Sequence, residues 1–399
     1  MEGRSDFFDR HLAQTTPYPF GLEISHAKGV WLYGTDGKRW LDLISGVGVS
    51  SIGHGHPRVV EAIKAQADKH LHVMVYGEYV QQPQTDAARA LIDLLPEPLN
   101  CVYFVNSGTE ANEAALKLAK RVTGRTRIVA CRGAYHGSTH GSLSVSGNEM
   151  KKRAFRPLLP DIHFMRFNSM EDLALITPET ACVIVETIQG DAGVRIPDLG
   201  WMVALRERCT ATGSLLILDE IQAGLGRTGR YFAFEHFGIV PDLLTLGKAL
   251  GGGMPIGALV APRVLMEQFT YSPMLGHITT FGGHPLVCAA ACAGLEVLKE
   301  EIDLEHVNRM GDRIAERLGA HPLVKVIRHK GLFFAIELGS VAAVQHVVEY
   351  GIANGFIGFW FLSHPDAFRI APPLNITEEE VDCACSLILE AFNALPSQH

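Results

Sequence analysis

The sequence lacks the features that would direct it to a membrane, to nucleic acid or to an oxidising compartment. It has no apolar stretch that approaches membrane-spanning length and no apolar signal core at its N-terminus. Its net charge is −8 without a basic cluster, which argues against nucleic acid or an anionic bilayer as a partner. None of its eight cysteines forms a Cys-X-X-Cys pair. We therefore expect a cytoplasmic protein with buried, unpaired cysteines, no metal site, and neither nucleic acid nor a membrane as partner.

The sequence is rich enough in apolar residues to build a large core. Of its 399 residues, 47% are apolar and 20% charged, which favours two domains over one. We assign residues 52–290 to a large domain, and residues 1–51 together with 291–399 to a smaller α+β domain. The smaller domain should contain an antiparallel pair of strands at 30–33 and 39–43.

Apolar strands and helices alternate between residues 100 and 260. This pattern predicts an α/β fold with a mostly parallel sheet covered by helices on both faces. Ligands of such sheets bind beyond the carboxyl ends of the strands. The predicted strands are 101–105, 127–130, 181–186, 215–218 and 243–246, and the predicted helices are 110–121, 201–212 and 286–301.

Lys248 follows one of these strands, and glycines flank it at 247 and at 251–253. An apolar strand that delivers one amine into a glycine-lined space suits a lysine that loses its proton and forms an imine, because desolvation lowers the pKa of an amine. The alternative is a strand-end lysine whose stem packs while its ammonium group reaches water.

Three other segments also follow strand ends. The hydroxyls and free N–H groups of 106–109 at a helix start predict a phosphate cradle, or alternatively a plain N-cap. Tyr135 and His136 lie between glycines, which suits stacking on a planar ring or ordinary packing. Asp219 follows four apolar residues and needs a cation or a donor. A protonated pyridine nitrogen, the Mg²⁺ of an NTPase or a structural donor would each serve, but the chain has no Gly-X4-Gly-Lys-Ser/Thr loop.

One cofactor accounts for all four segments. Pyridoxal 5′-phosphate needs a lysine for an imine, an anion site for its phosphate, an aromatic ring over its face, and a carboxylate that keeps its ring nitrogen protonated. The sequence therefore predicts pyridoxal phosphate as the cofactor.

The motifs also resemble, nearly over the full length, the class III (subgroup II) pyridoxal-phosphate aminotransferases of fold type I, which include acetylornithine, ornithine and 4-aminobutyrate aminotransferases. The resemblance implies that Lys248 forms the imine and shuttles a proton, and that Asp219 pairs with the ring nitrogen. It rests on residues 53–57, 107–113, 135–137, 186–193, 219–229, 247–250, 280–283 and 369–374. It further assigns Ser107, Gly108 and Thr109 to the phosphate, Tyr135 to stacking, Gln222 to the ring hydroxyl, Thr280 to the phosphate of a neighbouring subunit, and His136 and Glu186 to the same cofactor site.

The resemblance extends to the substrates and to assembly. Arg369 is similar to the arginine that binds a substrate carboxylate through its planar fork; the alternative is a surface salt bridge. Val47 lies in the 45–50 segment, which lines the substrate opening in relatives and looks nearer to acetylornithine or broad ω-amino enzymes than to ornithine aminotransferases. The Thr280 assignment implies a homodimer or a higher even homo-oligomer.

The chain departs from the family pattern at three positions. Asp191 stands where relatives acting on ω-amino substrates usually carry a glutamate that pairs with the carboxylate-binding arginine, and Asp is one methylene shorter. Thr187 replaces a proline, and His284 replaces an asparagine. Lys151, Lys152 and Arg153 stand near the position where acetylornithine enzymes often have an arginine for a distal carboxylate; the alternative is a solvated basic face.

We expect a ping-pong aminotransferase that moves an amino group from an ω-amino acid or an acetylornithine-like donor to a keto acid such as 2-oxoglutarate. A racemase, epimerase or aminomutase on the same scaffold is the first alternative, because those enzymes use the same cofactor residues. A non-catalytic binding protein is the second, and an intact Lys248, Asp219 and phosphate loop argue against it.

Overall fold

The structure, a computed structural model, describes residues 4–395. The strands are β1 (Ile24–Lys28), β2 (Trp31–Gly34), β3 (Arg39–Asp42), β4 (Cys101–Val105), β5 (Arg127–Cys131), β6 (Ile162–Met165), β7 (Thr180–Glu186), β8 (Leu215–Asp219), β9 (Leu243–Gly247), β10 (Gly257–Ala261), β11 (Val326–Lys330), β12 (Phe333–Glu337), β13 (Phe356–Ile357), β14 (Phe359–Trp360) and β15 (Ala367–Ile370). The helices are α1 (Arg4–His11), α2 (Ser45–Gly48), α3 (Pro57–Lys69), α4 (Gln82–Ile92), α5 (Gly108–Thr123), α6 (His140–Val145), α7 (Glu149–Lys152), α8 (Leu199–Thr212), α9 (Arg263–Met266), α10 (Pro285–Glu300), α11 (Leu304–Gly319), α12 (Val341–Asn354) and α13 (Glu378–Asn393).

Seven strands form the central sheet, in the order β4-β10-β9-β8-β7-β5-β6. The neighbours from β9 to β6 are parallel, and β10 is antiparallel to both β9 and β4. The prediction of a mostly parallel sheet is therefore confirmed, and each of the five predicted strands matches an observed strand within one residue at either end. β6 and β10 were not predicted from the sequence; β10 is built partly from glycine and alanine, which carry little strand signal.

The helices cover both faces of this sheet, as predicted. In β7, Cys182 and Ile184 pack with the buried alanines of α5, while Val183 and Val185 pack with the apolar side of α8. Successive side chains of a strand point to opposite faces, so α5 and α8 lie on opposite sides of the sheet. The alanines at helical spacing in α5 are fully buried, which brings the start of that helix close to the strand ends.

Two smaller sheets lie beside the central one, β1-β2-β3-β13 and β11-β12-β15-β14. The parallel pairing of β3 with β13 joins the N-terminal segment to the C-terminal region. The predicted boundary at 290 falls inside α10, a continuous helix that packs on α3 and α4. The division into two domains stays a prediction, and residues 1–3 and 396–399 lie outside the described residues.

Within residues 4–395, none of the helices combines the length and apolarity needed to cross a bilayer. All eight cysteines are free thiols. Five of them are buried as expected, but Cys383 is exposed, and Cys101 and Cys292 are half-buried.

Candidate active site

Three neighbouring parallel strands deliver the central residues of the candidate site to one edge of the sheet. Glu186, the last residue of β7, is paired in register with Asp219, the last residue of β8, and Asp219 is paired with Thr245 of β9. Lys248 follows β9 directly. Because parallel strands end at the same edge, the two carboxyl groups and the amine lie close together beyond that edge.

Lys248 begins a tight 3-10 turn, Lys248–Gly251, and is half-buried. Its φ of +46° lies in the left-handed region, which a residue with a side chain adopts at a cost. Burial first, and then the positive charge of Arg369, lower the pKa of Lys248 to about 8, against the opposing charges of nearby carboxylates. This burial and the lowered pKa favour a desolvated amine over a strand-end lysine whose ammonium group reaches water, and the role of Lys248 in forming an imine stays a prediction.

Asp219 is buried and receives three hydrogen bonds. Its Oδ2 atom accepts from Asn112 Nδ2 and from His136 Nδ1, each at 2.8 Å, and its Oδ1 atom accepts from the Ile221 N–H at 3.1 Å. Hydrogen bonds to a carboxylate stabilise its charged form. Asp219 is therefore held as an acceptor whose position is set from three sides.

Asn112 is the residue of this cluster that sequence reasoning missed. It is fully buried in α5, donates one amide hydrogen to Asp219 and the other to the His136 carbonyl, and accepts from the Thr245 hydroxyl. The signal was available, because Asn112 is an amide on the buried, alanine-lined face of a helix, where it must find partners inside the protein.

His136 lies behind Asp219 rather than alone on a ring-stacking surface. It is 2% exposed, and its Nε2 atom has no partner among the described residues. A hydrogen on Nε2 would be buried without an acceptor among the described residues, so the geometry favours a hydrogen on Nδ1, facing Asp219. This contact with Asp219 differs from the predicted stacking role.

Tyr135 and Glu186 are linked through the main chain. The Tyr135 N–H donates to Glu186 Oε1 at 3.0 Å, and the Gly190 N–H donates to Oε2 at 2.8 Å. The Tyr135 ring remains 42% exposed, free to meet a planar ligand. Burial raises the pKa of Glu186 to about 7, and the charge of Asp219 adds to this rise.

The predicted phosphate cradle forms the start of α5. The Ser107 hydroxyl accepts from the Glu110 N–H, as an N-cap does, so the alternative interpretation of this motif is confirmed and the phosphate cradle stays a prediction. The N–H groups of Gly108 and Thr109 have no acceptor within the helix because they belong to its first turn. Thr109 Oγ1 contacts Thr139 Oγ1 at 2.8 Å. A capped helix start with two outward N–H groups is an anion site.

Arg369 lies on β15 and is 5% exposed, so it is not a surface salt bridge. Its guanidinium group packs over the Phe361 ring at 5.2 Å, and its Nε and Nη2 atoms have no hydrogen-bond partner among residues 4–395. Burial lowers its pKa to about 10. Asp191, which stands where relatives carry a glutamate that pairs with this arginine, accepts hydrogen bonds from the Leu362 N–H and the Ser363 hydroxyl.

The remaining departures from the family pattern follow from local contacts. The Thr187 hydroxyl donates to Glu220 Oε1 at 2.8 Å inside the core, which a proline could not do. His284 accepts from the Leu286 N–H through Nδ1 and so caps α10, the role that an asparagine fills well. Lys152 is buried, with its ammonium group on the Ser146 carbonyl.

The remaining predicted residues lie nearer the surface. Val47, in α2, is 38% exposed and has a left-handed backbone; its neighbour Ser45 donates to the carbonyl of Ala371, next to the strand of Arg369. Thr280 is exposed on the loop before α10, and no hydrogen bond of its side chain within residues 4–395 ties it to Lys248. Lys151 and Arg153 are exposed and Lys152 is not, so the prediction that all three form a solvated basic face is wrong.

These residues fit pyridoxal phosphate. Within residues 4–395, the Nε2 atom of Gln222 is buried without a partner, as are two nitrogens of Arg369. Buried polar atoms require ligands when the protein does not supply partners. The anion site at α5, the desolvated Lys248 and the oriented Asp219 supply the other groups that this cofactor needs.

Comparison with known proteins gives a consistent result. The family model described as Aminotransferase class-III matches residues 13–392. An acetylornithine aminotransferase of Methanopyrus kandleri is 38% identical over 397 residues, which cover 99% of this chain and 100% of that protein. An acetylornithine aminotransferase of Mycolicibacterium smegmatis is 40% identical, and the match covers 90% of this chain and 91% of that protein. The crystal structure of the ornithine aminotransferase of Toxoplasma gondii superposes with a TM-score of 0.92 at 32% identity, covering 100% of this chain and 97% of that one.

Proposed function

The chain belongs to the class III aminotransferases, and we propose that it takes its amino group from an ω-amino acid or an acetylornithine-like donor and passes it to a keto acid such as 2-oxoglutarate. It is a pyridoxal-phosphate-dependent aminotransferase of fold type I. The named relatives are all transaminases, so the isomerase and the non-catalytic alternatives gain no support. The observation that carries the proposal is the desolvated Lys248 beside the three-times hydrogen-bonded Asp219.

The cofactor would be held by residues from four elements. Pyridoxal phosphate, when bound, supplies a carbonyl that condenses with amines and a ring that withdraws electrons from the adjacent carbon. Ser107, Gly108 and Thr109 would hold the phosphate, Gln222 Nε2 would donate to the ring hydroxyl, and Lys248 would carry the cofactor covalently. Tyr135 would pack on its face.

Lys248 Nζ is the group that would move a proton. With a pKa of about 8, about a tenth of this amine is neutral at pH 7, compared with about one part in 3,000 for an ordinary lysine. A neutral amine next to the reacting carbon accepts a proton and returns it within the same site, as a general base and then a general acid.

Asp219 and Arg369 would orient the reacting molecules. Asp219 accepts three hydrogen bonds, so it favours a positively charged ring nitrogen in front of it. Arg369 has two unpartnered nitrogens in a buried setting, which suits bidentate binding of a substrate carboxylate from which water is excluded.

The choice of donor is supported by the relatives named as acetylornithine aminotransferases and by the substrate side of the site. Val47 lies on the 45–50 segment, beside the strand of Arg369. Lys152 is engaged with the Ser146 carbonyl, so Lys151 or Arg153 would bind a distal carboxylate of the donor.

The active unit would be a homodimer or a higher even homo-oligomer. Thr280 is exposed in a loop that also exposes large apolar side chains, with Tyr271 at 67%, Met274 at 76% and Phe281 at 55%. Apolar surface of this kind is typical of a contact between subunits. A second copy would cover it and bring Thr280 to the phosphate of the neighbouring site.

A single-turnover screen of amines tests the function. Each amine is mixed with the purified holoenzyme without a keto acid, and donor consumption and the visible absorbance of the cofactor are followed. We expect acetylornithine and ω-amino acids to be consumed at one equivalent per site, with a change in absorbance. Inversion of an α-carbon without net donor consumption would instead support the isomerase alternative.

The Lys248→Ala variant is the matching negative control. It should keep the fold, measured by circular dichroism, and lose turnover completely, because no other amine stands at this position. Transamination retained in this variant would overturn the assignment of Lys248.

A further inference from the structure

Asp191 occupies a different position from that of an arginine counter-ion. It is 6% exposed, and both of its carboxylate oxygens are already engaged. Oδ1 accepts from the Leu362 N–H at 3.1 Å, and Oδ2 accepts from the Ser363 hydroxyl at 3.0 Å. A buried carboxylate that satisfies two donors would leave both unpaired if it turned towards another cation.

These bonds join two turns that are far apart in the sequence. Asp191 belongs to the 190–193 turn, which is closed by the Gly193 N–H on the Gly190 carbonyl. Its partners belong to the 362–364 segment, which follows Phe361, the ring that lies under Arg369.

A second bridge joins the same two turns. Arg328 donates from Nε to the Gly193 carbonyl at 2.7 Å and contacts His364 Nε2 from Nη2 at 3.0 Å. Asn148 also donates to the Ser363 hydroxyl at 3.0 Å. The 190–193 turn is therefore held against the 362–364 segment at both of its ends.

Arg369 is left without a hydrogen-bonded carboxylate. Two of its nitrogens have no partner among the described residues, and the nearby charges of Asp191 and Glu186 act on it through space. A buried guanidinium group in this state binds a carboxylate without having to break an existing ion pair.

We propose that Asp191 is a specificity-determining latch, which ties the 190–193 turn to the 362–364 segment and leaves Arg369 open to a carboxylate in both half-reactions. This inference rests on the proposed function, in which Arg369 binds the carboxylate of the keto acid. Its consequence is a substrate rule. Dicarboxylic acids that fit the acceptor position also bind Arg369 in the enzyme form that reacts with the amine donor. They therefore inhibit the enzyme competitively against that donor.

The test uses glutarate, which has the carbon skeleton and both carboxylates of 2-oxoglutarate but no carbonyl to react. Its dissociation constant for the holoenzyme is measured by calorimetry for the wild type and for the Asp191→Ala and Ser363→Ala variants. A latch predicts that both variants bind glutarate several-fold more weakly, because each frees the segment that positions Phe361 under Arg369.

If Asp191 were instead a mobile counter-ion of Arg369, the two variants would change glutarate affinity in opposite directions. Asp191→Ala would bind glutarate more tightly, because a competitor of the ligand is removed, while Ser363→Ala would bind it more weakly. That pair of results would overturn the latch.

Two further variants, Asp191→Asn and Arg369→Ala, complete the test. Asp191→Asn keeps an acceptor for the Leu362 N–H and a donor for the Ser363 hydroxyl. A latch therefore predicts a glutarate affinity close to that of the wild type, even if Asp191→Ala fails to fold, and markedly tighter binding would contradict the latch.

Arg369→Ala tests the proposed function itself. If glutarate binding survives in that variant, Arg369 does not bind the carboxylate, whatever Asp191 does.

Discussion

At the scale of single residues, the site depends on how buried hydrogen-bond partners position the Asp219 carboxyl group. Asn112 uses all of its hydrogen-bonding groups for this purpose, since both amide hydrogens and its oxygen are engaged. The Thr245 hydroxyl fixes the orientation of the amide, and the amide fixes one oxygen of Asp219. Buried polar networks of this kind are rigid to the extent that their members are satisfied.

The Asn112→Asp variant tests this network. It removes both N–H donors and places a second carboxylate beside Asp219, so one of the two carboxyl groups should become protonated. We expect cofactor binding to weaken by about 1–3 kcal/mol, measured as the dissociation constant of pyridoxal phosphate for the apo protein. Thr245→Val is the control, because it keeps both donors and should weaken binding less. Unchanged affinity in a folded Asn112→Asp protein would contradict the role of Asn112.

The lowered pKa of Lys248 makes its reactivity depend on pH in a defined direction. The neutral, nucleophilic fraction rises with pH through about 8, instead of through the usual value near 10.4. In the apo protein, the rate of Lys248 acylation by an amine-selective reagent, measured by mass spectrometry, should therefore reach half of its maximum near pH 8. Arg369→Leu removes a charge that lowers this pKa, so the midpoint should move to higher pH. A midpoint above 10 in the wild type would show that the amine is not desolvated.

At the scale of elements, the proposed phosphate site depends on the close approach of β10 to the start of α5. Gly257, the first residue of β10, is paired with Val105 and Gly247. A side chain at Gly257 would overlap the carbonyl oxygen of Ser107. The N-cap and the first turn of α5 thus take their positions from a glycine about 150 residues later in the chain.

The Gly257→Ala variant should therefore displace the helix start. Because its neighbour is main chain and cannot rotate away, we expect a loss of about 1–3 kcal/mol in the free energy of unfolding, together with weaker binding of pyridoxal phosphate. Gly200→Ala in α8 is the matched control, since its added methyl group meets no atom within 4 Å and should stabilise the helix by about 0.5–1 kcal/mol. Equal behaviour of the two variants in denaturant titrations would contradict this reasoning.

At the scale of the whole molecule, the loop that carries Thr280 lies at the surface. That loop carries exposed apolar side chains, and Thr280 makes no side-chain hydrogen bond to the Lys248 region within residues 4–395. The proposed homodimer explains both features, because the site of one subunit would be completed by the loop of the other.

Mixing two inactive variants tests this completion. Lys248→Ala lacks the amine, and Thr280→Asp should repel the phosphate of the neighbouring site. If Thr280 acts across the interface, a mixed dimer contains one site with both wild-type residues, so co-refolding should restore up to about half of the sites in each mixed dimer. Activity is measured before and after mixing. If mixing restores nothing while mixed dimers form, Thr280 acts within its own subunit or has no role at the site.

Much of the fold was predictable because its signals are local. The apolar runs of β4, β5, β7, β8 and β9 and the alanine spacing of α5 follow from side-chain periodicity alone. β6 and β10 were missed because their strand character comes from their neighbours in the sheet rather than from their own residues. The contacts of α10 with α3 and α4 are likewise long-range and have no local sequence signal.

The sequence by itself determined the chemistry of this protein, because Lys248, Asp219 and the 107–109 segment each follow a strand or open a helix, and parallel strands bring such positions to one edge. Only the tertiary structure decided which residues are hydrogen-bond partners at the site. It placed Asn112 and His136 on Asp219, bonded Asp191 to the 362–364 segment, and gave two nitrogens of Arg369 no partner among residues 4–395. Hydrogen bonds between residues far apart in the chain depend on distances of a few tenths of an ångström, and no pattern in the sequence carries that information.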